Sequence, residues 1–64
     1  MRLNRAKLAY ELANRDLRQY RLAELAGLSH ATLSAIASGK SVTYETAQKI
    51  NAALGLPLDK LLEA

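Results

Sequence analysis

Only one imidazole, His30, is available to this chain of 64 residues, and no carboxylate lies near it in sequence. There is no cysteine, which excludes a thiolate nucleophile, a disulfide and a thiolate metal site. A single histidine cannot form a metal cluster by itself. No nucleophile–base pair, no pair of catalytic carboxylates and no glycine-rich phosphate loop is present, so the chain is not expected to be an enzyme and no cofactor or metal is implied. The sequence offers another kind of chemistry. From Leu25 to Tyr44 there is no acidic residue, and His30, Ala31, Thr32, Ser34 and Ala35 are small or uncharged apart from the imidazole. A surface helix normally carries Lys or Glu on its free side. A face of hydroxyls, methyls and one imidazole is shaped for close approach, and a polyanion docking on it would meet no repulsive carboxylate.

An element must hold those residues, and the flanking pattern predicts it. Leu22, Ala23 and Ala26 share one face of a helix, and Gly27 follows directly. Ser29 then opens a second run in which Leu33 and Ile36 stand three apart. Gly27 can take the left-handed conformation that closes a helix, and Ser29 can cap the orphan amides of the next one. Leu28 is pinned into the angle between them. Two short helices meeting at a glycine turn describe a helix-turn-helix, with the second helix running from His30 to about Ala37 and ending at Ser38-Gly39-Lys40.

The rest of the chain predicts three more helices. Asn4 can cap a first helix to about Asn14, with Leu8 and Leu12 inward and Ala9 and Ala13 beside them. Before the helix-turn-helix, Asp16 and Gln19 have the spacing of a capping box, which would start that helix early with Leu17 in its first turn; the alternative is an irregular corner. Thr43 can cap a fourth helix whose buried stripe is Ala47, Ile50 and Leu54, with Glu45 in its first turn and Gly55 closing it. After Leu56-Pro57, the leucines Leu58, Leu61 and Leu62 predict a short fifth helix. The expected fold is all-α, five short helices in one domain over residues 1–64.

Composition narrows the partners. With no Trp or Phe, the core should be aliphatic, built of Leu and Ile with Ala at the close crossings. No run approaches the ~20 apolar residues of a membrane span and no signal-peptide core is present, so the expected location is cytoplasmic. The net charge is +3, and residues 1–21 carry six cations against two acids. Together with the turn motif, that distribution favours nucleic acid as the partner.

The order Gln19, Leu22-Ala23, Gly27-Leu28-Ser29, Leu33, Ile36, Gly39-Lys40 resembles the phage-repressor-like (lambda repressor/Cro, Xre-type) helix-turn-helix family. Glu45-Thr46 and Ala52-Ala53-Leu54-Gly55-Leu56 extend the resemblance over nearly the whole chain. The chain departs from the pattern where Arg15-Asp16 fills a corner usually made by glycine, where Arg18 replaces a small hydroxyl cap, and in residues 40–43, about one residue shorter than usual. The resemblance implies a sequence-specific regulator of transcription that lays its His30–Ala37 helix in the major groove of duplex DNA. Base-reading positions then fall on His30, Ala31, Ser34 and Ala35: the imidazole can hydrogen-bond a base edge, and the alanines offer methyls to thymine methyls. Backbone contacts fall on Arg18, Gln19, Ser29, Thr32, Ser38 and Lys40. A small phage- or prophage-type repressor, dimeric on a palindromic operator, is the function so implied, with Leu58, Leu61 and Leu62 as the dimer surface. The rival is an antitoxin-like or scaffold protein whose main partner is another protein, and Leu25, Tyr44 and the C-terminal leucines could serve it. Neither reading calls for a membrane or a small-molecule ligand.

Overall fold

A computed structural model describes residues 1–57 and 60–61, and four α-helices stand among them: α1 (Arg5–Asn14), α2 (Gln19–Ala26), α3 (His30–Ala37) and α4 (Tyr44–Leu54). Three start at the caps that the sequence predicts. Asn4 Oδ1 accepts the Lys7 N–H at 3.0 Å, Ser29 Oγ accepts the Thr32 N–H at 3.1 Å, and Thr43 Oγ1 accepts the Thr46 N–H at 3.2 Å. Each satisfies one orphan amide.

The fourth start differs. Asp16 does not cap α2; the extended Arg18 precedes the helix and gives it no side-chain bond. Asp16 instead finishes α1. It adopts φ 51°, its N–H donates to the Ala13 carbonyl at 3.1 Å, and the Leu17 N–H reaches the Leu12 carbonyl at 2.9 Å. That pair of bonds around a left-handed residue is the Schellman terminator. All four helices end this way, with Gly27 (φ 71°), Gly39 (φ 106°) and Gly55 (φ 69°) as the other pivots. The next amide donates back from Leu28 to Ala23, from Lys40 to Ala35 and from Leu56 to Asn51, at 2.8, 3.1 and 2.9 Å. After three of the pivots comes a leucine, Leu17, Leu28 or Leu56, which packs partly buried on the core.

Among the described residues there are four helices, not the five expected. Lys60 lies in a single 3-10 turn, its N–H donating to the Pro57 carbonyl at 3.1 Å, while Leu58 and Leu62 fall outside the described residues. The Leu61 carbonyl accepts the Asn4 N–H at 2.6 Å. Leu61 itself is only 1% exposed. It belongs to the core, which corrects its assignment to a dimer surface: a side chain packed at home offers no area to a second copy.

The core is aliphatic. Leu8 and Leu12 of α1, Leu22 and Ala23 of α2, Leu33 and Ile36 of α3, and Ala47, Ile50 and Leu54 of α4 meet in one cluster with Leu3, Val42 and Leu61. α2 packs on both α3 and α4, and Ala23 and Ala47, fully buried, supply the small residues that let helices approach. Ala9 and Ala13 remain exposed, so the inward stripe of α1 is narrower than its sequence suggests.

Two polar ties join distant parts of the chain around the cluster, and one polar side chain is buried within it. Met1 and Val42 exchange backbone bonds, the Val42 N–H donating to the Met1 carbonyl at 2.7 Å and the terminal ammonium to the Val42 carbonyl at 3.3 Å. Leu3 is thereby seated in the core between the α3–α4 connection and Leu61. Arg15 pairs with Glu11 and donates to the Leu54 carbonyl at 2.9 Å, joining the end of α1 to the end of α4. Asn51 is buried, its Nδ2 donating to the Ala47 carbonyl at 2.8 Å, and its Oδ1 has no partner among the described residues. No described helix is long and apolar enough to cross a membrane.

Candidate nucleic-acid interface

The face that could meet a ligand is set by what pins α3 from behind. Leu33 and Ile36 are 1% and 4% exposed, so the rotation of α3 about its axis is fixed by two core side chains. Gly27, in the left-handed region, turns the chain between α2 and α3, and Leu28 fills the angle against the core. With that face inward, His30, Ala31, Thr32 and Ser34 are exposed. Ala35 is half-buried and borders a shallow groove with Thr32, Lys40, Thr43 and Thr46. Four proposed base readers thus lie along one helix, with Ala35 set deepest.

Around them the backbone candidates fall into two groups. Arg18 and Gln19 are exposed at the start of α2, where the first helical bond is the Arg21 N–H to the Arg18 carbonyl at 3.0 Å. The amides before it have no side-chain cap, so the positive end of α2 is open to an anion. Lys40 is exposed just past the end of α3.

The hydroxyls are more constrained. Ser29 Oγ donates to Thr32 Oγ1 at 2.7 Å while accepting the Thr32 amide, so its own proton is engaged and that of Thr32 is left to donate outward. Ser38 Oγ donates to the Ala35 carbonyl at 2.9 Å. In this rotamer it has no proton for a phosphate, and its backbone N–H already serves the Ser34 and Ala35 carbonyls. Of the three hydroxyls, Thr32 is the one placed to give a hydrogen bond.

Electrostatics agree with an anionic ligand. No residue from Leu25 to Tyr44 is acidic, and Glu24, just before that stretch, accepts from Arg21 at 3.2 Å. One contact has no counterpart in the sequence reasoning. Tyr20, in the first turn of α2, meets His30, the first residue of α3, edge to face: ring centroids lie 6.2 Å apart with planes at 61°. The two residues are ten apart in sequence, and only the turn at Gly27 brings their first turns together. No periodicity rule pairs them.

Comparison with known proteins places this geometry. A family model described as helix-turn-helix matches residues 8–61. No curated protein matches. Among solved structures, native PhpD with cadmium atoms superposes with a TM-score of 0.83 at 25% identity, and PhpD with cadmium complexed with hydroethylphosphonate superposes at 0.82 and 25%. Both similarities cover 100% of this chain and 14% of the PhpD chain, so the same fold there is a small part of a much longer protein.

Proposed function

Because the chain belongs to the helix-turn-helix family, of the phage-repressor-like type, we propose that it is a sequence-specific double-stranded DNA-binding regulator of transcription, with α3 as the reading helix. The observation that carries this reading is the outer face of α3. It is free of carboxylates, made of small side chains, and fixed in direction by Leu33 and Ile36, with the uncapped start of α2 beside it. The major groove admits one α-helix, and a helix with short side chains can approach the base edges closely. The chain acts by binding, not by catalysis, and its place is the cytoplasm.

In this reading it is a phage- or prophage-type repressor that binds a palindromic operator as a homodimer. The domain measures 25 Å in its longest dimension. That is less than the ~34 Å that separates successive half-sites on one face of the duplex, so two copies are needed to read two half-sites. A second reading, a protein partner as for an antitoxin or scaffold, draws on the exposure of Leu25 (52%) and Tyr44 (55%).

Salt separates the two, since phosphate-driven binding falls steeply with ionic strength and an apolar interface does not. The test is a gel shift on bulk duplex at two salt concentrations, then on a site selected from random duplex. Lys40→Ala should weaken binding to every sequence alike and lower the salt slope by about 1. His30→Ala should leave bulk binding unchanged yet cost ~1–3 kcal/mol at one base pair of the selected site. Salt-insensitive or absent duplex binding would overturn the proposal; a monomer bound one per site would overturn the dimer alone.

A further inference from the structure

We propose that Tyr20 is a positioning residue for sequence discrimination, holding the His30 imidazole in the direction from which it reads a base; this rests on the DNA-binding reading given above. His30 is the first residue of α3 and is exposed, so its own backbone leaves its side-chain rotamers open. A base-reading group must arrive with its donor and acceptor aimed, and freezing a mobile side chain on binding reduces affinity. The aromatic ring of Tyr20 stands at 6.2 Å and 61°, within the range in which edge-to-face pairs attract. It blocks one side of the imidazole and favours the rotamers that keep the contact.

Among the described residues, the core makes no use of Tyr20. It is 53% exposed and lies outside the core cluster, so it contributes little to folding. Its neighbours Leu22 and Ala23 attach α2 to the core without it. The start of α2 is also the end that lies open to an anion, so a phosphate held there would sit close to the Tyr20–His30 pair. The clamp on the backbone and the aim of the reading group are then set by one turn of one helix.

Three measurements test this. In the free protein, the His30 ring protons should shift in the NMR spectrum of Tyr20→Ala, which removes the neighbouring ring current, and stay in place in Tyr20→Phe. On the selected site, Tyr20→Ala should reduce discrimination at the base pair read by His30 by about two- to tenfold, the usual size of an aromatic pair. Bulk-duplex affinity and its salt slope should not change, and Tyr20→Phe should behave as the unaltered chain. In a His30→Ala background, Tyr20→Ala should reduce discrimination no further.

Additive losses in that double variant would overturn the proposal, as would an equal loss on all sequences, or loss in Tyr20→Phe, which would make the hydroxyl a phosphate contact. Discrimination that is indifferent to His30→Ala would overturn it too. If the chain with no substitution binds no duplex, the DNA-binding reading fails and the positioning role falls with it. The ring-current shift would still show whether the contact exists.

Discussion

Asp16 holds φ 51° without being a glycine, the one such residue among those described. The left-handed region costs an ordinary L-residue roughly 1–2 kcal/mol, and aspartate less than most, because its short side chain can bond locally. Asp16→Gly should therefore raise stability by ~0.5–1 kcal/mol after the extra chain entropy of glycine is set against the relief. Thermal melts should show a midpoint several degrees higher, and an unchanged or lower one would mean the corner is not strained. Gly27 is the converse. A Cβ built there meets nothing within 4 Å, so the cost of a side chain is conformational alone. Gly27→Ala should destabilise by about 1–2 kcal/mol and Gly27→Val by up to about 3, without any clash, as melts of both would show. The role of Gly27 could be read from sequence because glycine after an apolar stripe has one usual meaning. That of Asp16 could not. Asp before a helix also signals an N-cap, and with Gln19 three residues on, the local rule points the wrong way. Only the Leu12–Leu17 bond shows which helix Asp16 serves.

Among the elements, α3 was the most legible, since cap, inward pair and glycine exit all agreed on its limits. α1 and α4 followed their caps too. What sequence could not give was how ends of different helices meet. Arg15 stood out only as part of the corner that replaces a glycine, yet its guanidinium reaches the carbonyl end of α4, 39 residues away, where a positive charge suits the helix dipole. Arg15→Ala should cost about 1 kcal/mol, a discounted value because the side chain is 32% exposed. Glu11→Gln, which keeps the bond to Leu54, should cost less. Urea titrations of both variants check the order; if Glu11→Gln costs as much as Arg15→Ala, the surface ion pair is the source and the α4 tie contributes nothing. In the final segment the Leu61 carbonyl accepts the Asn4 N–H, a long-range bond that no local period predicts.

For the molecule as a whole, the first three residues matter more than their place suggests. Leu3 is 1% exposed and held by bonds on both sides, to Val42 through Met1 and to Leu61 through Asn4. A domain of this size has roughly 3–10 kcal/mol of total stability, and a buried Leu→Ala costs ~2–5. Leu3→Ala should therefore remove a large share of it, seen as a lower urea midpoint; a loss below about 1 kcal/mol would show that the strap only lies on the surface. The aliphatic core has an optical consequence. The chain has no Trp or Phe, and its tyrosines Tyr10, Tyr20 and Tyr44 are 65%, 53% and 55% exposed. Its interior therefore absorbs and emits nothing in the near ultraviolet. Tyrosine emission reports the surface: it should change as Tyr20 parts from His30, while the far-ultraviolet dichroism of the backbone follows the helices themselves. A fluorophore beside His30, on the face proposed to meet DNA, would be dimmed when bases close over it. In this protein the light comes from the surface, the face that would dock included, and none from the core.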